Sequence, residues 1–132
     1  MNPTDVVLRF LEKINAHDVN GLCKLMTPDH VFFDAGDTRL EGIETMHAGW
    51  TMYFDWFPDY AVSSEHIFEE GEIVAVIGRA RGTYAGDGRM ATRRQWDIPA
   101  AWKAVVRGGL VAEWRVYADN QPAREQMEER AP

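Results

Sequence analysis

QWDIPAAWKAVVRGGLVAEWRVYAD, residues 95–119, carries the pattern that decides the fold. On either side of its RGG break, apolar and polar side chains alternate with period two, as they do in a strand with one buried face. The even positions of the first half are Trp96, Ile98, Ala100, Trp102, Ala104 and Val106; those of the second are Leu110, Ala112, Trp114, Val116 and Ala118. The odd positions include Gln95, Asp97, Lys103 and Val105, then Glu113, Arg115, Tyr117 and Asp119. The stretch 74–84 repeats the arrangement, with Val74, Val76, Gly78, Ala80, Gly82 and Tyr84 on one side and Arg79, Arg81 and Thr83 on the other. Strands are therefore expected over 59–69, 72–84, 92–106 and 110–119, separated by the turn-rich EEG, AGDG and RGG.

Helices precede this meander. Val6, Val7, Phe10, Leu11 and Ile14 recur at helical spacing over residues 3–15, with Pro3 in the first turn and Asn2 as the cap. Asp18 caps a short second helix running through Met26, and TPDH reads as a turn. Residues 30–34, HVFFD, read as a short strand followed by the loop AGDTRLEG. A third helix spans Ile43 to Phe54, with Met46, Trp50, Tyr53 and Phe54 on its inner side, and Pro58 ends it. Helices followed by a run of long strands argue an α+β domain: helices packed on a largely antiparallel sheet, in one unit over residues 1–132.

The apolar sheet face should lie under the helices. Gly78, Ala80 and Gly82 leave space opposite the tryptophans, which either holds a ligand or is filled by indole rings. The other face carries Arg79, Arg81, Lys103, Glu113, Arg115 and Tyr117. It is either a solvated face or, the reading favoured here, a homodimer interface, because a two-fold axis makes such mixed charges self-complementary.

The formal net charge of −7 weighs against nucleic acid and against an anionic membrane, and suits a soluble cytoplasmic protein. Cys23 is the single cysteine, so no intrachain disulfide can form, and its neighbours Leu22, Leu25 and Met26 suggest a buried thiol. MNPTDVV lacks the basic start and apolar run of a signal peptide, and no apolar stretch approaches membrane-spanning length. His17, His30, His47 and His66 are scattered singly, so no metal site is expected. GTYAGDG has a hairpin's composition and lacks the lysine or spacing of a nucleotide loop; no cofactor is expected.

Several runs together resemble one family. FLEKINAHDVNGLCKLMTPDHVFFDAGD, WFPDY, RGTYAG and GLVAEWRVYAD follow the order seen in SnoaL-like proteins of the nuclear transport factor 2-like superfamily. The resemblance implies a cone of helices on a curved sheet, commonly dimeric through its outer face. It also implies ketosteroid isomerase, polyketide cyclase and epoxide hydrolase as relatives, so the fold leaves the chemistry open. Asp34 matches the general-base aspartate of ketosteroid isomerase. Phe10 and Ala100 stand where that enzyme keeps its two oxyanion donors, and Val116 stands at an aspartate of limonene epoxide hydrolase. Loss of even one such donor typically lowers the rate by about two to three orders of magnitude, so the isomerase mechanism is not expected here; nor, with a valine in place of its aspartate, is the epoxide hydrolase mechanism.

The remaining candidates follow from position. Asp34 is either a base in an apolar setting or an acceptor for backbone N–H groups of the next turn. Asp119 ends the last strand, and His47 sits one turn before Trp50 as a proton shuttle or an exposed helix histidine. Phe10, Trp50, Tyr53, Tyr84, Trp96, Ala100, Trp102, Trp114 and Val116 are expected to line a pocket for a small apolar or polycyclic molecule. That molecule is either turned over, in an isomerase-, cyclase- or dehydratase-like step, or only bound; a further alternative is an interaction module whose outer sheet face binds another chain.

Overall fold

The computed structural model, which describes residues 1–85 and 95–128, opens on a capped helix. In α1 (Pro3–Asn15) the Asn2 side chain accepts the Asp5 N–H at 2.8 Å, which satisfies one of the orphan donors of the first turn. The apolar stripe Val6, Val7, Phe10, Leu11 and Ile14 is buried. His17, at φ 54, turns the chain, and the Asp18 side chain accepts the Gly21 N–H at 2.9 Å to start α2 (Val19–Lys24). Then come β1 (Met26–Phe33), β2 (Arg39–Glu41), α3 (Ile43–Trp56), β3 (Ala61–Glu70), β4 (Ile73–Thr83), β5 (Gln95–Arg107), β6 (Leu110–Ala118) and α4 (Gln121–Glu128).

The strands form one sheet in the order β2-β1-β6-β5-β4-β3. Neighbours are antiparallel except β1 and β6, which run parallel. The fold is α+β as expected, with a mixed sheet. Helix α1 crosses β3 to β6, while α3 packs on β1 and β2. Register shifts in β1 between Met26 and Val31, in β3 between Ser64 and His66, and between β5 and β6 at Val105/Val106 bend these strands. The even residues of β4 and β5 are buried, as their alternation requires.

Several expectations are corrected. TPDH is no turn: it lies within β1, where the register shift lets a proline and polar residues interrupt the ladder. The second helix stops at Lys24 because Met26 already pairs with Val111. Residues 92–94 of the expected third long strand, and most of AGDG, lie outside the described residues. In β6 the even parity fails before Trp114. The shift at Val111 turns that residue into the core, while Ala112 joins Val105 and Glu113 in a shallow recess on the outer face. Gly78 does not open space for a ligand, because a Cβ there would run into the Ser63 carbonyl oxygen at the β3 irregularity. Gly82 makes room for the Trp96 ring, which lies 3.1 Å from where its Cβ would be.

The outer face also differs from its sequence picture. Its charges pair within one chain: Arg79 with Asp97 at 2.7 Å, Lys103 with Glu113 at 3.0 Å and Arg115 with Asp37 at 2.8 Å. Arg115 also lies over the Phe33 ring, at 3.7 Å from its centroid. Arg81 is exposed. Between these groups the face bears exposed apolar side chains, Ile73, Ile77 and Tyr117.

Candidate functional site: an apolar cavity between helices and sheet

The cavity exists because small residues meet in the middle of the inner face. Ala100 on β5 is opposite Ala118 on β6, and Ala80 on β4 is opposite Ile98. Trp96, Trp102 and Trp114 stand around these short side chains, and α3 closes over them with Met46, Trp50 and Tyr53. The tryptophans do not fill the space. Trp102 and Trp114 stack at 6.3 Å, Trp96 packs edge-on against Phe57 at 5.4 Å, and a cavity of about 400 Å³ remains. That is within the common size range of small-molecule sites, about 300–1,000 Å³.

Of the expected wall residues, Trp50, Tyr53, Trp96, Ala100, Trp102, Trp114 and Val116 line the cavity. Phe10 does not: it is fully buried behind the wall, 4.8 Å from Trp114 and 6.3 Å from His30, as core packing. Tyr84 stands outside too, packed against Phe57 at 5.9 Å.

Among the described residues Asp34 is the one carboxylate on the wall. It follows directly on β1, half-buried, next to Phe32 and Phe33. Its Oδ1 accepts the Gly36 and Thr38 N–H groups, both at 2.9 Å, and so holds the turn; Oδ2 makes no hydrogen bond among the described residues. Asp34 thus fills the turn role weighed for it and still faces the cavity.

The other two acid–base candidates are elsewhere. His47 is exposed on α3 and pairs with Asn20 Oδ1 at 3.0 Å, one helical step away from the inner stripe. Asp119 points outward, as its odd parity implies, and accepts the Gln121 N–H at 3.0 Å at the start of α4. Helix α4 was not anticipated, nor were its cavity residues Ala123, Arg124 and Met127, nor Asn120 before it. Its available signals were Asp119 as a cap and Pro122 in the first turn. Tyr60, read as part of a strand, follows the turn after α3 and lines the wall.

The site's electrostatics follow from burial. Desolvation pushes the Tyr53 phenol up, and that of Tyr60 well above its ordinary value, with the neighbouring Tyr53 adding to the rise. Both remain neutral hydrogen-bond donors. The indole N–H groups of Trp50, Trp96 and Trp114 are buried without partners among the described residues. Cys23 is half-buried, and burial raises its thiol, which opposes nucleophilic chemistry. Among the described residues no group of three His, Cys, Asp or Glu side chains is placed to hold a metal ion, and no helix is long and apolar enough to cross a membrane.

Helices on a mixed sheet, closed around an apolar cavity with one carboxylate among the described residues of its wall, make up the ketosteroid isomerase-like fold. More narrowly, the SnoaL-like domain family matches residues 7–114, and the chain belongs to that family. A protein from Jannaschia sp. CCS1 described as a SnoaL-like polyketide cyclase superposes with a TM-score of 0.83 at 24% identity, over 98% of this chain and 93% of that one. IdmH from Streptomyces antibioticus, described as a polyketide cyclase, gives 0.80 at 25% identity, over 97% and 99%. A ketosteroid isomerase-like fold from Catenulispora acidiphila, in complex with trimethylamine, gives 0.81 at 17% identity, over 96% and 97%. No curated protein matches the chain.

Proposed function

We propose that the protein binds a small flat apolar molecule in this cavity and that Asp34 is a general base toward it. The carrying observation is the cavity itself: about 400 Å³, walled by aromatic and small apolar side chains, with a single carboxylate among its described lining residues. Similar structures described as polyketide cyclases support chemistry of this kind. In the proposed step Asp34 Oδ2 takes a proton from a carbon next to a carbonyl. The C–H electron pair becomes a carbon–carbon double bond, and the carbonyl pair moves onto oxygen. With a second double bond in conjugation the enolate is a dienolate, and return of the proton to its far carbon completes an isomerisation; attack of the enolate carbon on a second carbonyl, whose oxygen then takes the proton from Asp34, completes a cyclisation. No cofactor enters either route.

The test is exchange of the α-protons of 1-tetralone, a flat bicyclic ketone, in D2O, followed by NMR. The wild-type protein should accelerate exchange, and Asp34→Asn should lower that acceleration by about 10²–10⁴-fold, the usual range for a positioned base, with the ketone's affinity unchanged within about twofold. A second reading, binding without turnover, is favoured by the two N–H bonds that make Asp34 a turn anchor. Wild-type exchange no faster than buffer, with binding intact, would establish that reading for this substrate class.

A further inference from the structure

Alternation at the end of β1 sends Phe32 into the cavity wall and Phe33 to the outer face of the sheet. The turn 34–38 follows, with Asp34 back on the cavity side. Asp34 holds this turn together. Its N–H donates to the Thr38 carbonyl oxygen at 3.1 Å, and its carbonyl oxygen accepts the Asp37 N–H at 3.0 Å. Its Oδ1 accepts the Gly36 and Thr38 N–H groups, both at 2.9 Å. These bonds fix the carboxylate within the turn. They do not fix the turn against the sheet.

Among the described residues, one side chain from outside the turn hydrogen-bonds it, and that side chain belongs to the outer face. Arg115 on β6 stands beside Phe33 in the parallel β1–β6 ladder. Its guanidinium carbon lies 3.7 Å from the centroid of the Phe33 ring, and Nη1 donates to Asp37 Oδ1 at 2.8 Å. The ring is a shelf that restricts where this long side chain can go. Glu113, another carboxylate acting on Arg115, is paired with Lys103 at 3.0 Å. Asp37 has φ 67, in the left-handed region that glycine occupies more easily. Glycine there would have no carboxylate to offer Arg115.

An exposed ion pair adds little to stability, and Asp37 is 77% exposed. Position is a separate matter. A base must stand within about 2.6–3.2 Å of the proton it takes, and a displacement of about 1 Å can cost about 10²-fold in rate. We propose that Arg115 and Asp37 are positioning residues: their ion pair clamps the turn from the outer face and so sets where Asp34 Oδ2 stands in the cavity. This role rests on Asp34 being the base, and it extends the site to the far side of the sheet.

The experiment follows α-proton exchange of 1-tetralone in D2O and, separately, exchange of the protein's own amide hydrogens, both by NMR. Arg115→Met keeps an unbranched side chain over Phe33 and removes the charge. It should lower ketone exchange by about tenfold, with 1-tetralone affinity within about twofold of wild type and thermal stability nearly unchanged. Asp37→Asn tolerates the left-handed turn and keeps a neutral acceptor, so its loss should be smaller. The double variant should be no slower than Arg115→Met, since both changes remove one contact. Arg115→Lys, which keeps the charge, should recover part of the rate. The Gly36 and Thr38 amides, which bond Asp34 Oδ1, should exchange about tenfold faster in Arg115→Met. Wild-type ketone exchange in Arg115→Met overturns the clamp and leaves Asp34 as the base. Slower ketone exchange with both amides still protected also overturns it, because the loss then does not run through the turn. Additive losses in the double variant overturn the pairing. A wild-type protein that does not accelerate ketone exchange overturns the base reading, and the catalytic role of the clamp with it.

Discussion

His30 is fully buried behind the cavity wall, beside Phe10. Its Nδ1 donates to the Val111 carbonyl oxygen at 2.7 Å, and Nε2 has no partner among the described residues. The carbonyl can only accept, so the neutral ring carries its proton on Nδ1, and Nε2 is a bare lone pair. Protonating Nε2 would create a buried, unpaired N–H on a charged ring. Desolvation accordingly lowers the His30 pKa, and outweighs the Val111 bond and the charges of Asp29 and Glu113, which act the other way. The unfolded chain takes up this proton near pH 6.5 and the folded chain takes it up only at lower pH. His30 therefore adds nothing to the pH dependence above about pH 6.5, and stability falls as pH drops from there toward the depressed folded value. Urea unfolding between pH 7.5 and 5 should show this decline, and a His30→Phe variant should show a shallower one. An equal slope in the two proteins would remove His30 as its source. Asp34 carries the same lesson about single residues: the alternatives weighed from sequence, base or turn acceptor, are both compatible with its two oxygens, because one oxygen serves the turn and the other does not.

At the scale of elements, the cavity depends on a short-side-chain position in a long strand. Ala100 is in register with Gly78 on one side and Ala118 on the other, and its own Cβ faces the cavity. Ala100→Phe should fill the space from the floor. Overpacking a filled core costs about 1–3 kcal/mol; here the new ring enters empty volume, so stability should change by less, about 1 kcal/mol, while affinity for 1-tetralone falls by about 50-fold or more. Thermal melting beside fluorescence titration would check this, and unchanged affinity would place the ligand elsewhere. The strands that form this floor were legible because period-two alternation in β4 and β5 is direct evidence of a one-sided face. The cap residues Asn2 and Asp18 were legible for a similar reason, since each acts within three residues. What escaped depends on distant partners. The parallel β1–β6 pair joins segments some 80 residues apart, and its ladder excuses Pro28 and Asp29 from the rules of a regular strand. β2 has three residues and exists only by pairing with β1. Gly78 is small for the sake of a backbone contact with Ser63, which alternation alone cannot distinguish from space left for a ligand. The wall contributed by α4 escaped because that helix's apolar residues, Ala123 and Met127, are too few to set a period.

For the whole molecule, the outer sheet face poses the remaining question. Ile77, Ala101 and Tyr117 stand side by side across β4, β5 and β6, and Ile77 and Tyr117 are 43% and 52% exposed. The ion pairs Arg79–Asp97 and Lys103–Glu113 flank this row on either side, already matched within the chain. Such a surface has an apolar centre and a polar rim, which is how interfaces between proteins are built. We propose that two copies meet here, about a two-fold axis that lays one Ile77–Tyr117 row against the other. Because the cross-chain contacts would be mainly apolar and each chain carries a net charge of −7, overall repulsion should oppose association, and salt should relieve it. Sedimentation should therefore find a dimer at micromolar concentration that tightens between 20 and 300 mM salt. Interfaces held by ion pairs weaken over the same range. Ile77→Asp places a charge in the row and should yield a monomer whose cavity still binds 1-tetralone, since Ile77 lies on the opposite side of the sheet from the cavity wall. A wild-type monomer at these concentrations overturns the interface, and a dimer that loosens with salt would assign it to the charged residues instead of the apolar row.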